Sequence, residues 1–309
     1  MDVFRTLVPS AGDSAVALGN FDGLHIGHQK VISLALDGAA DGLLPTVFTF
    51  VENPLVDLGG RAGGRLQTQE EKISLLRDMG VRQLYMVDFR SVMDLSAEEF
   101  VEQVLIGYMK AKKVCCGFNF TFGRGGKADS TVLTALCKAR GIEVSVAQAV
   151  QLDGMPVSST RIRGLVESGR VEEAQRLLGR PFGYCTPVQH GKRLGHSLGT
   201  PTLNQELPVG FVQPKFGVYV SQVEIESKNY FGVTNVGVRP TVGADHVISE
   251  TWMPDYRGAD LYGKSLRVEL LRFLRPERKF STLEELQSAI LQDGAQAREI
   301  YRGLQLADK

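Results

Sequence analysis

The sequence predicts an α/β domain built on a parallel sheet, followed by a smaller domain of antiparallel strands. In the first half, short apolar or β-branched runs alternate with amphipathic stretches, the pattern of a parallel sheet covered on both faces. After about residue 183, Gly and Pro turns separate the runs, which is typical of a barrel or a sandwich. At roughly 150 residues per domain, the 309 residues also suggest two domains. We therefore expect domains at residues 1–183 and 184–309.

The composition is that of an ordinary folded protein with balanced charge. Its 35 Lys and Arg residues match 35 Asp and Glu residues, 43% of residues are hydrophobic and 23% are charged. This excludes a disordered chain and argues against a protein that holds long nucleic acid, which needs a basic surplus. No run approaches the roughly 20 apolar residues of a membrane span, and the N-terminus does not resemble a signal peptide. Cys115 and Cys116 lie in an apolar run without metal-ligand spacing, so we expect core thiols and a cytoplasmic location.

Hydrophobic runs and capping signals place the secondary structure. Five strands are predicted in the first half, at Ala15–Leu18, Thr46–Phe50, Gln83–Val87, Val114–Gly117 and Glu143–Ala147. Further strands are predicted at Gly217–Val223, Tyr230–Val236 and Leu266–Leu271. The segment Arg161–Leu178 is expected to be helical, and a further helix is expected over about Thr282–Arg302, where Ser281 and Glu284 form the start signal.

Two histidines follow the first predicted strand in a glycine-rich turn. The strand runs into LGNFDGLHIGH at Leu18–His28, and a helical pattern follows. Glycines let the backbone approach a ligand, and a helix N-terminus offers free amide hydrogens, so this turn suits phosphate. His25 and His28 can both donate to phosphate oxygens and stabilise charge at a phosphorus under attack. The alternatives are a turn with two satisfied histidines and a zinc pair without a third ligand at convincing spacing. The HxGH pattern favours phosphate chemistry.

Two further segments carry side chains suited to a nucleotide. VSSTRIR at Val157–Arg163 opens a helix with hydroxyls and a cation, which suit phosphate oxygens, although an ordinary N-cap gives the same pattern. GFNFTFGRGGK at Gly117–Lys127 combines aromatic rings with glycines and can stack a planar ring. Its phenylalanines are explained equally well as apolar anchors of a turn. The HxGH turn and the VSSTRIR segment are expected at the carboxyl ends of strands, where open α/β sheets bind ligands.

In this order, GNFDGLHIGH, GFNFTFG and VSSTRIR resemble the N-terminal half of the bacterial bifunctional riboflavin kinase/FMN adenylyltransferases, or FAD synthetases. That half belongs to the HxGH nucleotidylyltransferase superfamily, which has a Rossmann-like parallel sheet. The resemblance implies that this half moves AMP from ATP to FMN, releases pyrophosphate and makes FAD. It implies that His25 and His28 are catalytic, contacting the ATP phosphates and steadying the transition state. The nucleotide-binding positions that it implies are Gly19, Phe21, Asp22, Gly27, Asn119, Ser159, Thr160 and Arg161.

The second half carries polar segments whose chemistry is ambiguous from the residues alone. GHSLGTPTLN at Gly195–Asn204 offers oxygen donors of the kind that suit Mg²⁺, but a plain polar loop explains it better. A carboxylate at Glu250 could accept the proton of an attacking alcohol, but a solvated surface residue is the usual fate of a glutamate.

A resemblance to the riboflavin kinase half of the same family favours the functional interpretation of both segments over the plain one. It rests on GHSLGTPTLN followed in order by NVGVRPT, ETWMPDY and LRPERKF, and it implies a small antiparallel β-barrel with a terminal helix. It implies that Glu250 is the base that takes the proton from the ribityl 5′-hydroxyl of riboflavin, which then attacks the γ-phosphate of ATP. The remaining implied positions are Thr202 and Asn204 for Mg²⁺ and ATP phosphates, and Gly195, Gly199 and Pro201 for the nucleotide.

Several positions depart from the family pattern. Asn53 stands where the family usually has His, Ala128 lies near the place of a further Gly, and His196 and Trp252 replace a usual Arg and a common His. The main alternative is therefore a riboflavin kinase with a weakened or inactive adenylyltransferase. Another nucleotidylyltransferase fused to a barrel and a flavin-binding regulatory module are more distant alternatives. We expect riboflavin, FMN and ATP as small-molecule partners, with Mg²⁺ and without nucleic acid or membrane. The oligomeric state is left open.

Overall fold

The computed structural model describes residues 1–54, 63–190, 202–241 and 244–307. Contacts divide the chain into two units, one of Met1–Gly63 with Gln69–Ser159 and the other of Gly64–Thr68 with Thr160–Lys309. The predicted domain boundary between residues 183 and 184 falls inside the strand Phe182–Gln189. That boundary stays a prediction.

The first unit is built on a parallel sheet of six strands. They are β1 (Asp2–Phe4), β2 (Ser14–Leu18), β3 (Leu44–Phe50), β4 (Gln83–Val87), β5 (Ala111–Gly117) and β6 (Glu143–Ala147). Their order is β1-β4-β3-β2-β5-β6, and every neighbouring pair runs parallel. All the strands predicted in this half are present, so the α/β prediction is confirmed. The sequence did not predict β1, because a strand of three residues is too short to show a period.

Both faces of this sheet are buried. Successive residues along a strand point to opposite faces, and here they belong to two different apolar clusters. In β2, Val16 packs in one apolar cluster and Ala17 in the other. In β5, Cys116 belongs to the first cluster and Cys115 to the second. Burial raises the pKa of the Cys115 thiol to about 12 and that of the Cys116 thiol to about 11. Both are therefore unreactive core thiols, as predicted.

The described helices are α1 (Ile26–Leu36), α2 (Gln69–Asp78), α3 (Ala97–Glu99, continued by a π-helix over Phe100–Tyr108), α4 (Ser130–Lys138), α5 (Ser159–Glu167), α6 (Val171–Leu178) and α7 (Leu283–Ala307). The helical prediction over Arg161–Leu178 is confirmed except at Ser168–Arg170, which separate α5 from α6. Gly169 lies between them with φ of +81°, a left-handed conformation that ends a helix. Short 3₁₀ segments occur at Asp37–Asp41, Phe89–Ser91 and Arg124–Gly126. Two hairpins of two-residue strands pair Thr121–Phe122 with Ala128–Asp129 and Gln151–Leu152 with Met155–Pro156.

The second unit contains a closed antiparallel barrel. Its strands are β7 (Phe182–Gln189), β8 (Thr202–Glu206), β9 (Gly217–Ile225), β10 (Lys228–Thr241), β11 (Ala244–Trp252) and β12 (Ser265–Arg275). They follow the order β7-β8-β11-β10-β9-β12, and β12 pairs back onto β7. The barrel prediction is therefore confirmed, and the sandwich alternative is wrong. The buried hydroxyl of Thr234 bonds those of Ser221 and Thr251 at 2.7 and 2.8 Å, so these polar groups are satisfied.

The terminal helix α7 packs against the barrel through apolar side chains. Ala297 of α7 is fully buried in a cluster with Val218, Val220 and Phe231. Two side-chain bonds cap the start of the helix: Thr282 Oγ1 accepts from the Glu285 amide at 3.1 Å, and the Glu285 carboxylate accepts from the Ser281 amide at 2.9 Å. The predicted pairing of Ser281 with Glu284 was thus wrong by one residue. Within the described ranges, neither α7 nor any other helix has both the length and the apolar character needed to cross a membrane.

Candidate active sites

The first candidate site lies where the strand order of the parallel sheet reverses. On one side of β2 lie β3, β4 and β1, and on the other side lie β5 and β6. Open α/β sheets bind ligands at such a switch point, outside the carboxyl ends of the strands. The HxGH turn follows β2 and the aromatic loop follows β5, so these two segments begin at the carboxyl ends of neighbouring strands. The predicted position of the HxGH turn is confirmed.

The turn after β2 holds an unusual backbone. Phe21 and Leu24 have positive φ values of +50° and +41°, which cost non-glycine residues about 1–3 kcal/mol each. Gly19 makes room for this turn, because a Cβ there would lie 2.9 Å from the ring of Phe21. Several bonds hold the segment, including one from Gln29 Nε2 to the Leu24 carbonyl at 2.9 Å. Such strain persists only where the surroundings fix it, and it is typical of functional turns.

The turn ends in two stacked imidazole rings. His25 is the N-cap of α1, and its Nδ1 accepts from the His28 amide at 3.2 Å. The ring centroids of His25 and His28 lie 3.5 Å apart with planes 16° from parallel. Gly27 has no side chain to disturb the stack, since a Cβ there would come within 3.1 Å of the His25 ring. The structure therefore brings the two predicted catalytic histidines together at a helix N-terminus.

His28 is held as a neutral imidazole. Its pKa lies well below the ordinary value, first because of burial and then because a charge on His28 would be repelled by His25, whenever that ring is protonated, and by the Lys72 ammonium. The residue keeps some exposure to solvent, but its Nδ1 is buried and has no hydrogen-bond partner. A buried ring nitrogen without a partner is one that a ligand can satisfy. This feature fits the predicted phosphate contact.

The other predicted residues of the first half lie as follows. Asp22 is buried, and its carbonyl accepts from Ser159 Oγ at 2.8 Å, so Ser159 reaches the HxGH turn. Thr160 and Arg161 follow Ser159 in the first turn of α5. Asn119 is exposed in the turn after β5. The segment that follows β5 therefore presents a polar amide to solvent beyond the carboxyl end of that strand.

Two residues that the sequence did not single out also bind the HxGH turn. Thr49 Oγ1 and Lys72 Nζ both donate to the carbonyl of Asn20, each at 2.9 Å. Thr49 belongs to β3 and Lys72 to α2, and both are buried. Lys72 lies four residues before Leu76, the other buried residue of α2. A lysine in step with the apolar positions of an amphipathic helix was the signal that could have found it.

The second candidate site is a cross-strand row on the barrel. Glu250 of β11 lies opposite Asn204 of β8 and opposite Asn235 of β10. Two residues along β11, Trp252 lies opposite Thr202 of β8. Residues opposite each other share a face of the sheet, as do residues two apart on one strand. The predicted base and the two predicted Mg²⁺ positions therefore lie on one face.

A cavity of about 210 Å³ lies against this face. Its walls are largely apolar, and its polar groups include three carboxylates. The apolar lining residues are Val218, Val233, Trp252, Phe280, Leu286 and Ile290, and the polar ones are Thr202, Asn235, Glu250, Arg275, Glu277, Arg278 and Asp293. An apolar cavity with a few polar groups is the usual form of a small-molecule site.

Two contacts organise the polar groups of the cavity. Asn235 Nδ2 donates to Glu277 Oε1 at 3.2 Å, and Gly237 leaves room for that carboxylate, since a Cβ there would lie 2.2 Å from it. Arg275 Nε donates to Asp293 Oδ1 at 2.9 Å, and Asp293 is only 5% exposed. The sequence did not single out Asn235, Glu277, Arg275 or Asp293 as individual site residues. Their strand pairing and helix packing are set by contacts far apart in the chain.

The predicted Mg²⁺ positions offer suitable oxygen atoms. Asn204 Oδ1 is buried and has no hydrogen-bond partner, while its Nδ2 lies 3.5 Å from Thr202 Oγ1. Amide and hydroxyl oxygens are ligands of Mg²⁺, so these two residues fit such an ion. Among the described residues, no group of three or more His, Cys, Asp or Glu side chains is placed to hold a metal. Gly195, Gly199 and Pro201, predicted to contact the nucleotide, lie outside the described residues, as does His196.

Comparisons with known proteins match both halves of the chain. A family model described as FAD synthetase matches residues 8–161, and one described as riboflavin kinase matches residues 178–301. Relatives named bifunctional riboflavin kinase/FMN adenylyltransferase include one from Pseudomonas fluorescens, with 35% identity over 96% of each chain. Those from Bacillus subtilis and Escherichia coli are each 33% identical, over 94% and 93% of this chain and 93% and 92% of theirs.

The fold is also found among solved structures. A crystal structure described as a macrolide-efflux protein from Streptococcus pneumoniae superposes with a TM-score of 0.88 and 31% identity, covering 96% of this chain and 99% of that one. Its description differs from the names of the sequence relatives, but its architecture is the same. The sequence identity extends over nearly the whole length, and both family models match in the same order as in a two-domain flavin enzyme. The chain belongs to the family of bifunctional riboflavin kinase/FMN adenylyltransferases.

Proposed function

We propose that the chain catalyses two consecutive reactions at separate sites. In residues 184–309, riboflavin and ATP give FMN and ADP, and in residues 1–183, FMN and ATP give FAD and pyrophosphate. The observation that carries this proposal is that the predicted catalytic groups of the two reactions lie in different units. The stacked pair of His25 and His28 lies in the first unit, and the row of Asn204, Glu250 and Asn235 lies in the second.

In adenylyl transfer, a phosphate oxygen of FMN attacks the α-phosphorus of ATP and pyrophosphate leaves. The HxGH turn contributes positioning and charge stabilisation, with no covalent intermediate on the protein. The amides at the start of α1 and an N–H of neutral His28 donate to the phosphates, and the stack on His25 fixes the direction of that ring. Gly19, Phe21, Asp22, Gly27, Asn119, Ser159, Thr160 and Arg161 are the proposed nucleotide contacts in this half.

In the kinase reaction, we assign the cavity to riboflavin. Its walls are largely apolar, and its three carboxylates outnumber its two guanidinium groups, so it suits a neutral flavin better than a triphosphate. Glu250 takes the proton of the ribityl 5′-hydroxyl as that oxygen bonds to the γ-phosphorus, and the bond to ADP breaks. Trp252 lies two residues from Glu250 on the same face of β11. With the 5′-hydroxyl at Glu250, the ribityl chain would bring the flat flavin ring to Trp252.

Thr202 and Asn204 would hold Mg²⁺, which when bound neutralises charge on the phosphates of ATP. Gly195, Gly199 and Pro201 would contact that nucleotide. We place the protein in the cytoplasm, because its four cysteines are free thiols, as in a reducing compartment. The alternative of a kinase alone finds no support, since the FAD synthetase match spans the HxGH turn and the segment that opens α5.

The test is chromatographic separation of flavins after incubation of the protein with riboflavin, ATP and Mg²⁺. The wild type should form FMN and then FAD. His28→Ala should lower FAD formation by about a hundredfold or more while FMN accumulates, because it removes a group at the phosphate site. Glu250→Gln keeps the size of the side chain and should lower FMN formation by about a hundredfold or more through loss of the base.

Each variant is the control for the other. Glu250→Gln should still convert supplied FMN to FAD, and His28→Ala should still phosphorylate riboflavin at the wild-type rate. Equal loss of both products in either variant would contradict the assignment of the sites. A wild-type protein that makes FMN but never FAD would restore the kinase-only alternative.

A further inference from the structure

Lys72 of α2 is a buried cation within the first unit. Its side chain is packed so that the residue is only 7% exposed, and its Nζ donates to the Asn20 carbonyl at 2.9 Å. Removing an ammonium group from water is costly unless its surroundings compensate the charge. None of the groups assigned above to adenylyl transfer explains why a lysine, and not an apolar residue, occupies this position.

The carbonyl that Lys72 binds also accepts from a second buried donor. Thr49 Oγ1 of β3 lies 2.9 Å from the same oxygen, and Thr49 is fully buried. Asn20 precedes Phe21, whose φ is +50°, so these two donors hold the residue at which the strained turn begins. A neutral hydroxyl is enough to satisfy a carbonyl oxygen. What Lys72 adds to Thr49 is a positive charge.

That charge acts at His28. Lys72 is one of the groups that lower the pKa of His28, after burial and the electrostatic effect of His25. A fixed cation in a partly dry site stabilises negative charge far better than a cation in water does. In adenylyl transfer, negative charge develops on the pyrophosphate that leaves, and a fixed cation would stabilise that charge.

We propose that Lys72 is a positioning residue of adenylyl transfer, which anchors the Asn20 carbonyl of the HxGH turn and supplies fixed positive charge to the site that this turn builds. Its action passes through the turn and through His28, and it favours the triphosphate and pyrophosphate state of the site. This inference rests on the proposed formation of FAD. It adds to that function a residue from a helix outside the predicted motifs.

Three substitutions separate the charge from the hydrogen bond. Lys72→Met keeps the length of the stem but removes both, Lys72→Arg keeps the charge, and Thr49→Val removes the neutral bond to the same carbonyl. We expect Lys72→Met to lower kcat for FAD formation about a hundredfold, Lys72→Arg to stay within about tenfold of the wild type, and Thr49→Val to lose about tenfold or less. FMN formation by the same chain should be unchanged in all three, which also reports that each variant is folded.

A second readout tests the electrostatic part without turnover. In protein with isotope-labelled histidine, NMR titration should give a higher pKa for His28 in Lys72→Met than in the wild type, and no such rise in Thr49→Val. The proposal is overturned if Lys72→Met forms FAD within about threefold of the wild type. It is overturned equally if Thr49→Val loses as much activity as Lys72→Met while the pKa of His28 stays fixed in both. A wild type that forms no FAD would defeat the proposed function, while the NMR comparison would still measure the charge.

Discussion

The imidazole rings of His25 and His28 are stacked 3.5 Å apart, with their planes 16° from parallel. Two protonated rings at this separation would repel each other strongly. The stack therefore requires that at least one ring is neutral, and the lowered pKa of His28 meets that requirement. An HxGH turn arranged in this way meets a phosphate with a fixed N–H donor and a helix N-terminus, not with two loose cations.

The first prediction concerns stability below pH 6.5. Because the pKa of His28 is lowered on folding, the unfolded chain binds a proton there that the folded chain does not. Stability should fall as pH drops from 6.5 towards the lowered pKa, by at most about 1.4 kcal/mol per pH unit for one group. His28→Asn cannot titrate at this position. Between pH 7.5 and pH 5, its melting temperature should therefore fall less than that of the wild type. An equal fall in both proteins would contradict the neutral ring.

The second prediction uses the single tryptophan of the chain, Trp252, which lines the cavity. Riboflavin bound there should quench tryptophan emission, and contact with the indole should in turn quench the emission of the bound flavin. Trp252→Leu should raise KM for riboflavin about two- to tenfold, the worth of one aromatic contact, and leave KM for ATP unchanged. Trp252→Phe should fall between the two. If saturating riboflavin leaves tryptophan emission unchanged, the flavin does not occupy this cavity.

The third prediction compares two glycines of α7. A Cβ at Gly294 would lie 2.5 Å from Cζ3 of Trp252, whereas a Cβ at Gly303 would meet nothing within 4 Å. Gly294→Ala should push the indole into the cavity and raise KM for riboflavin about tenfold. Gly303→Ala should leave the kinetics alone and stabilise the helix by about 0.5–1 kcal/mol. Steady-state kinetics with thermal unfolding measures both, and equal behaviour of the pair would show that Gly294 has no role at the cavity.

The sequence predicted those parts of the molecule that depend on short stretches of chain. The turn from β2 into α1 is one example, because its strand, its glycines and its histidines all lie within Leu18–His28. The buried strands around it follow from continuous apolar runs. The split between α5 and α6 was missed because Gly169 sits in a segment whose charged and apolar residues continue the helical period on both sides.

The parts that were missed depend on contacts between distant residues. Asn235 and Glu250 are opposite each other only through the register of β10 and β11, which no local pattern states. Lys72 reaches Asn20 across 52 positions of the sequence, and its burial is known only once α2 has packed on the sheet. A charged residue on an apolar helix face is a detectable anomaly, but its partner is not.

The last prediction concerns the ion pair at the edge of the cavity. Asp293 is 5% exposed and takes a hydrogen bond from Arg275 Nε at 2.9 Å, so Asp293→Ala leaves a guanidinium partly buried without its carboxylate. Such a loss costs about 3–5 kcal/mol, and the side chain of Arg275 keeps 19% exposure, which favours the lower end. The matched control is the pair of Asp255 with Arg298, an arginine of α7, since the side chains of Arg298 and Asp255 are 35% and 53% exposed. Asp255→Ala should therefore cost about 1 kcal/mol or less. Chemical unfolding of both variants, with riboflavin kinase activity as the readout of the barrel, measures the difference. Equal destabilisation would mean that burial does not set the strength of these pairs.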